Sequence, residues 1–148
     1  MESVEIREFG MQDMPLADGI VRLLGQLTSS DVGLTAGRLA SIAADGASRL
    51  WLLLVDGRVA GMLAMGLYTT PTGRKAWIED VVVDEAFRGR GFGRMLVEHA
   101  VASARGWAPV TLLLTSRPSR EAANALYRSA GFGLKPTNVY RMDIENEE

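Results

Sequence analysis

The sequence predicts an α/β (α+β) fold, with one mixed, mostly antiparallel sheet of about seven strands and helices on both of its faces. Three observations lead to this prediction. Apolar residues alternate or form short continuous runs in some segments and recur at helical spacing in others. An Asp-Gly pair at residues 56–57 joins two apolar runs, which is typical of a tight antiparallel hairpin. The length of 148 residues is typical of one domain, so we expect residues 1–148 to form a single domain.

The strands are predicted from period-two alternation and from β-branched or apolar runs. In the first strand, Val4 and Ile6 alternate with charged residues, so we expect one of its faces to be wet. The run at 110–115 is continuously apolar, so we expect it to lie centrally in the sheet, buried on both faces. The last two strands flank a turn at Pro136. The predicted strands cover residues 4–9, 48–55, 58–68, 75–83, 110–115, 132–135 and 139–144.

The helices are predicted from apolar spacing and from residues that favour helix ends. Pro15 follows Asp13-Met14 and suits the first turn of a helix that runs to about residue 28. Asp45-Gly46 ends a second, shorter helix, and Gly131 is a natural C-terminal cap for the last one. The predicted helices cover residues 13–28, 35–44, 91–105 and 120–130.

Composition excludes several classes of function. The net charge of −2 gives no overall basic field for nucleic acid, so we expect no nucleic-acid partner. The absence of Cys and the presence of one His exclude disulfides, thiolate or multi-histidine metal sites and a cysteine nucleophile. The longest apolar run, residues 50–55, is too short to cross a bilayer, and the N-terminus lacks the pattern of a signal peptide. We therefore expect a cytoplasmic location and no membrane partner.

A strand, a basic glycine-rich loop and a helix follow one another between residues 78 and 105. The loop reads R-G-R-G-F-G-R at residues 88–94. Glycines allow a close approach to a ligand, the N–H groups of the helix start attract anions, and the arginines supply charge. No Lys-Ser or Lys-Thr pair follows, as a Walker loop needs, and Arg94 breaks the dinucleotide pattern G-x-G-x-x-G. The loop therefore indicates a phosphate-bearing ligand of another kind.

The spacing Arg88-x-x-Gly91-x-Gly93 resembles the acetyl-CoA pyrophosphate loop of the GNAT superfamily of N-acetyltransferases. It stands directly after a Glu-Asp-apolar strand and directly before a helix, as in that family. Residues 123–132, A-N-A-L-Y-R-S-A-G-F, resemble the family's helix-to-strand segment A-x-x-(L/F)-Y-x-x-x-G-F. The order of predicted elements, β-α-α-β-β-β-α-β-α-β-β, is also that of the family. The resemblance implies a GNAT domain that transfers an acetyl group from acetyl-CoA to an amine.

The resemblance also implies how acetyl-CoA is held. Backbone groups of Val81, Val82 and Val83 pair with the pantetheine arm, while a backbone N–H near Val82 donates to the oxyanion. The loop takes the diphosphate, and the fourth and fifth strands splay apart to admit the cofactor. By themselves, the three valines also fit a plain buried strand. The implied cofactor-binding residues are Val81, Val82, Val83, Arg88, Gly89, Arg90, Gly91, Phe92, Gly93, Arg94 and Asn124.

Acetyl transfer needs a neutral amine and a proton for the leaving thiolate. Because the chain has no Cys, we expect direct attack by the amine in a ternary complex. The resemblance implies Tyr127 as the proton donor, and a phenol with a pKa near 10 suits a thiolate. Glu79 is the candidate general base, by resemblance to the Glu-Asp strand of the polyamine and glucosamine-phosphate acetyltransferases. Strand alternation predicts that Glu79 and Trp77 share one face and that Asp80 lies on the other.

Structural alternatives stand beside these assignments. Tyr127 fits a core tyrosine, and Glu79 fits a salt bridge to Lys75 or Arg74. Many relatives carry an Asn where Arg120 stands, so cofactor contact by the helix of residues 120–130 is left open.

Other side chains are interpreted mainly as structural. His99 falls on the apolar arc of its helix and is interpreted as a core residue. Trp77 and Tyr68 are packing residues or line an acceptor pocket. The carboxylates of residues 79, 80, 84 and 85 suggest a negative field that favours a cationic amine.

The acceptor is a small-molecule amine or a protein or peptide amine, and the sequence does not decide between them. It leaves a homodimer open as well. A silent acyl-CoA-binding sensor or scaffold of the same fold is the alternative function. A nucleotide-binding domain of another fold is disfavoured by the two failed phosphate motifs.

Overall fold

The computed structural model describes residues 1–146, in which five strands form one sheet in the order β1-β2-β3-β4-β5. The strands are β1 (Val4–Glu8), β2 (Ser48–Val55), β3 (Arg58–Thr70), β4 (Gly73–Val83) and β5 (Val110–Leu113). The first four pair antiparallel with their neighbours, and β5 runs parallel to β4. The predicted hairpin is confirmed, since β2 and β3 pair directly across the turn at residues 56–57. The sheet is therefore mixed and mostly antiparallel, as expected.

The helices are α1 (Ala17–Leu27), α2 (Ala36–Ala44), α3 (Phe92–Arg105) and α4 (Glu121–Ser129). A 3-10 segment, Met11–Leu16, precedes α1, so the first predicted helix begins in a tighter turn than expected. The buried carboxylate of Asp13 fixes this turn, because it accepts hydrogen bonds from the Gly10 N–H at 2.9 Å and from Arg7 at 3.0 Å. Within residues 1–146, no helix is both long and apolar enough to cross a membrane. The cytoplasmic location stays a prediction from the sequence.

The two faces of the sheet carry separate apolar clusters, so the prediction of helices on both faces is confirmed. Successive β2 side chains point to opposite faces. Those of Leu50, Leu52 and Leu54 pack with α1 and α2, whereas those of Trp51 and Leu53 pack with α3. The face that packs with α1 and α2 is called the α1–α2 face, and the opposite one the α3–α4 face.

The strand count of about seven was wrong, because residues 132–135 and 139–144 do not pair with the sheet. Consequently β5 is an edge strand with half-buried side chains, and not the central buried strand that its apolar run predicted. An alternating pattern shows which side chains share a face, but a strand also needs a backbone partner. Large apolar side chains of the C-terminal segment are exposed: Leu134 (90%), Val139 (68%), Tyr140 (89%), Met142 (83%) and Ile144 (87%).

The C-terminal end of β4 is fixed by the buried carboxylate of Asp84. It accepts hydrogen bonds from Arg22 of α1 at 3.2 Å, from the Ala86 N–H at 3.0 Å and from Gln26 at 3.4 Å. The Ala86 N–H, Gln26 and the Arg22 guanidinium lower the pKa of Asp84, despite the burial that opposes this. Asp84 therefore anchors α1 to the strand that leads into the glycine loop. Because its charge is buried and paired, it does not belong to the negative field expected around the acceptor.

Candidate active site

One extra residue interrupts the pairing of β4 with β3 beside Asp80. Ala64 pairs with Glu79 and Met62 pairs with Val82, so one residue of β3 faces two residues of β4. Asp80 has a φ of 51°, in the left-handed region that Asp adopts more readily than most residues. This is a β-bulge, which breaks the regular alternation of side chains along a strand.

The bulge brings Glu79 and Asp80 to the same cavity. Both line a cavity of about 390 Å³ between the sheet and the α1–α2 segment. The expectation that Asp80 lies on the opposite face was therefore wrong, because strict alternation fails where the strand carries an extra residue. The sequence shows no signal for the bulge, since Asp80 sits in an otherwise ordinary strand pattern.

The remaining wall of the cavity is largely apolar. Its apolar side chains come from α1, α2, the loop between them and the adjoining strands: Ile20, Leu24, Val32, Leu34, Leu39, Ile42, Leu50, Met62, Ala64 and Met65. The apolar spacing that predicts the helices does not distinguish these residues from the core, because one apolar helix face supplies both core and cavity wall. Trp77 and Tyr68 do not line this cavity; the Trp77 Nε1–H donates to the Tyr68 hydroxyl at 2.8 Å.

Glu79 has the electrostatic character of a general base. The Glu79 side chain is solvent-accessible, but partial desolvation raises the pKa of its carboxyl above the usual value, and the negative charge of Asp80 raises it further. The alternative salt bridges do not form, because Lys75 donates to Thr72 at 3.0 Å and Arg74 to the Trp107 carbonyl at 3.1 Å. Within the part of the chain that the structure describes, Glu79 has no ion pair. Its carboxylate is therefore available to an incoming group.

The edge of β4 that faces β5 is open over its second half. Pairing with β5 covers only the stretch from Arg74 to Trp77. The Asp84 N–H donates to Ala60 of β3 at 2.8 Å, so by the alternation of an antiparallel ladder Val82 also faces β3. Val83 faces the open edge, and its carbonyl accepts a hydrogen bond from Arg88 Nε at 3.1 Å. The backbone N–H that is expected to donate to the oxyanion near Val82 would thus belong to a neighbouring residue and not to Val82 itself.

The glycine loop has the backbone shape of an anion site. Gly89 and Gly91 have φ of 79° and 81°, which side-chain-bearing residues rarely adopt, and no other atom lies within 4 Å of a Cβ built on either one. Gly91 is the N-cap of α3, and no side chain among residues 1–146 caps this helix end. The N–H groups of the first turn of α3 are therefore free to bind an anion.

The three loop arginines make contacts within the protein. Arg88 bonds the Val83 carbonyl, as described above, and Arg94 contacts Ser129 and Glu98. Arg90 pairs with Glu2, and its guanidinium lies 4.8 Å from the centre of the Phe92 ring. Phe92 is buried, so its contribution to a ligand is limited to its backbone. In this structure the backbone N–H groups, more than the arginine charges, define the loop as an anion seat.

Tyr127 lies on the α3–α4 face, in the cluster that also holds Ile78 and Phe92. Its ring is buried and packs edge-on against Phe132, with 6.2 Å between the ring centres. Burial raises the pKa of the Tyr127 phenol, and the positive charge of Arg120 opposes this. The hydroxyl is therefore protonated at neutral pH. The hydroxyl oxygen makes no hydrogen bond to the described part of the chain, and it is not completely shielded from solvent.

Two further predictions concern Asn124 and His99. The Asn124 side chain donates to the Arg117 carbonyl at 3.0 Å, which fixes the loop before α4 and uses one of its two amide N–H groups. His99 is half-buried and packs edge-on against Trp51, with 5.2 Å between the ring centres, which fits its interpretation as a packing residue.

Residues 24–132 match the acetyltransferase (GNAT) family. The chain belongs to the GNAT superfamily of N-acetyltransferases. It is 32% identical over 141 residues to glucosamine 6-phosphate N-acetyltransferase 1 of Oryza sativa subsp. japonica, covering 88% of this chain and 82% of that protein. A 58-residue stretch is 45% identical to the ribosomal protein bS18 alanine N-acetyltransferase of Salmonella typhimurium, covering 39% of each chain. The crystal structure of glucosamine-6-phosphate N-acetyltransferase from Arabidopsis thaliana shares the fold, with a TM-score of 0.80, 23% identity, and coverage of 95% of this chain and 98% of that one.

Membership of the GNAT superfamily explains why the glycine loop and the open edge of β4 lie together. GNAT acetyltransferases use acetyl-CoA, which carries a diphosphate and an extended amide-bearing arm. The residues present fit such a ligand, since an uncapped glycine loop adjoins the open edge of β4. The carboxylates and Tyr127 of this acetyltransferase lie on opposite faces of the sheet, with β4 between them.

We predict that Gly91→Ala weakens binding of CoA about tenfold, because an alanine at this φ strains the loop by about 1–2 kcal/mol. Calorimetric titration with CoA measures the effect, and a thermal melt confirms that the variant is folded. Gly25→Ala is the matched control, since Gly25 lies in α1 with nothing within 4 Å of its Cβ position. Unchanged CoA affinity in folded Gly91→Ala would contradict the assignment of the loop as the diphosphate seat.

Proposed function

We propose that the protein transfers the acetyl group of acetyl-CoA to a primary amine by direct attack in a ternary complex. The observation that carries this proposal is the arrangement around β4. An unpaired carboxylate lies on one face, a protonated phenol is buried on the other, and an open strand edge lies between them. The absence of Cys supports direct transfer, because no acetyl-cysteine can form.

The co-substrate is held by backbone groups in this proposal. The first turn of α3 and the loop of residues 88–94 bind the diphosphate, and Gly89 and Gly91 allow its close approach. Val81 and Val83 bind the extended arm along the open edge of β4, while the side chain of Val82 packs on the α1–α2 face. Asn124 keeps its amide oxygen and its second amide N–H for this purpose. A metal has no role in the proposed reaction.

Glu79 prepares the amine. An ammonium group that enters the cavity meets the carboxylates of Glu79 and Asp80, which attract it. Glu79, whose pKa is raised, takes a proton from the amine directly or through a water molecule. The neutral amine then attacks the acetyl carbonyl, the carbon–sulfur bond breaks, and the Tyr127 hydroxyl gives its proton to the leaving thiolate. The nitrogen, positively charged after the attack, releases a proton to water as the amide forms, and the Tyr127 phenolate takes a proton back from water.

We predict that Tyr127→Phe lowers kcat about 100-fold while the affinity for CoA changes less than threefold, because only the proton donor is lost. Steady-state release of free thiol gives kcat, and calorimetry gives the affinity. Tyr140→Phe is the matched control, since Tyr140 is 89% exposed. If Tyr127→Phe kept full activity, the phenol would be a packing residue. If the wild-type protein bound CoA but acetylated no amine, it would be a silent binding domain of the same fold.

We predict an acid limb in the pH dependence of kcat/KM that lies above the usual range of a carboxyl pKa. Glu79 must be deprotonated to act, and its pKa is raised, so activity falls as the pH decreases through that value. Asp80→Asn removes a neighbouring negative charge, which lowers the pKa of Glu79 and moves the limb to lower pH. Glu79→Gln removes the limb and lowers the rate about 100-fold or more. A limb that stayed in place in Glu79→Gln would assign the titration to another group.

The acceptor in this proposal is a small-molecule amine or a protein or peptide amine. The named relatives support both classes, since one acetylates glucosamine 6-phosphate and the other a ribosomal-protein alanine. The paired carboxylates favour an acceptor that carries positive charge.

A homodimer belongs to the same proposal. Apolar side chains alternate with charged ones at residues 140–144, and the apolar ones, among them Tyr140 and Ile144, are more than two-thirds exposed. In the described part of the chain, the outer edge of β5 has no strand partner. In a dimer, the exposed apolar side chains of one copy would pack against the other copy, and the open edge of β5 would gain a partner.

We predict that the protein is a dimer in solution and that Tyr140→Asp with Ile144→Asp makes it monomeric, because each charge would be buried against the second copy. Size-exclusion chromatography with light scattering measures the mass. The control pair is Val4→Asp with Val21→Asp, on β1 and α1, where the side chains are 38% and 49% exposed. A wild-type monomer would contradict the proposed dimer.

A further inference from the structure

The α1–α2 cavity is acidic at one end and mostly apolar over the rest of its wall. Two carboxylates, Glu79 and Asp80, provide its acidic groups, whereas ten of its lining residues are apolar. Arg38, Arg49, Ser48 and Gly66 complete the lining. Arg49 is engaged elsewhere, because it pairs with Glu8 at 3.0 Å and donates to the Gly46 and Ser48 carbonyls. An acceptor in this cavity therefore meets negative charge at Glu79 and Asp80, the guanidinium of Arg38 on α2, and hydrocarbon over most of its remaining surface.

The segment between α1 and α2 contributes two of these apolar side chains, Val32 and Leu34. Val32 is 41% exposed and lies in a loop without regular structure, where polar residues are the usual choice. A valine that lines the cavity but is not covered by the core is available for contact with an apolar ligand. Val32 thus adds apolar surface to the cavity without belonging to either core cluster.

From this arrangement we infer that the acceptor is a primary amine on an apolar body, such as an alkylamine or arylalkylamine, and not a sugar amine or a polyamine. The inference rests on the proposed acetyl transfer and specifies its substrate. The ammonium group meets Glu79 and Asp80, and the apolar body packs on the wall formed by α1, α2 and Val32. Hydroxyl groups placed against the apolar part of that wall would lose their hydrogen bonds to water without replacement, and a phosphate would find one cationic partner there, Arg38. The volume of about 390 Å³ lies within the range of small-molecule sites.

The experiment compares two amines of equal heavy-atom number, hexylamine and 2-(2-aminoethoxy)ethanol, with glucosamine 6-phosphate and spermidine as further acceptors. Each buried methylene contributes roughly fourfold to binding, so we expect kcat/KM for hexylamine to exceed that for the ether amine more than tenfold. Thiol release from acetyl-CoA measures the rates. A kcat/KM for the ether amine, the sugar phosphate or spermidine that equals or exceeds that for hexylamine overturns the inference and leaves the proposed acetyl transfer intact.

Two variants test whether the preference for hexylamine arises at Val32. Val32→Ser is expected to lower kcat/KM for hexylamine about fourfold and to leave the ether amine nearly unchanged. Val21→Ser is the matched control, since Val21 has a similar exposure of 49% but lies on α1 outside the cavity. Equal losses for both amines in Val32→Ser, or an equal loss in Val21→Ser, would count against an apolar acceptor site.

A binding measurement separates the inference from the proposed reaction. If no amine is acetylated, the proposed function fails, and calorimetric titration of the CoA-loaded protein with the same two amines still tests the cavity. Tighter binding of hexylamine that is weakened by Val32→Ser supports an apolar amine site. Equal or weaker binding of hexylamine overturns it.

Discussion

The structure depends on one constraint in β4: the strand must pair with β3 along its length while its other edge stays open beyond Trp77. Backbone N–H and C=O groups need partners, so an open edge beside a packed core is a surface for another extended chain. The neighbouring elements maintain this edge. Strand β5 has only four residues and ends its pairing early, and Asp84 fixes the strand where it turns into the glycine loop.

The bulge at Asp80 links this edge to the cavity. Without the extra residue, Glu79 and Asp80 would point to opposite faces, and one carboxylate would enter the apolar cluster beneath α3. With it, both line the α1–α2 cavity, and the negative charge of Asp80 contributes to the raised pKa of Glu79. The φ of Asp80 is unfavourable for most residues, so the strand accepts local strain where the charges are needed.

Local pattern predicted the layers of this fold but not its irregularities. Period-two and helical spacing located all five observed strands and the four helices within a few residues, because they depend on which side chains face the core. The glycine loop was also foreseen, since positive φ and a helix start follow from the residue types. The bulge at Asp80 was missed, because it depends on pairing with Ala64 and Met62 across the sheet. The strands at 132–135 and 139–144 were overpredicted for a similar reason, since alternation does not supply a partner edge.

The chain separates the groups that hold the donor from those that surround the acceptor. The glycine loop and the start of α3 pack against α4 and β4, as shown by Gly93, whose Cβ position lies 3.7 Å from Leu126 and 3.8 Å from Val83. The cavity wall belongs to α1, α2 and their connecting loop on the opposite face. Only β4 belongs to both, through Glu79 on one side and Val83 on the other. A change of side chain in the α1–α2 loop can therefore alter the acceptor without moving the anion seat, because no residue of that loop contributes to it. In this chain the cavity wall therefore selects the body of the acceptor, whereas β4 carries the groups that take part in acetyl transfer.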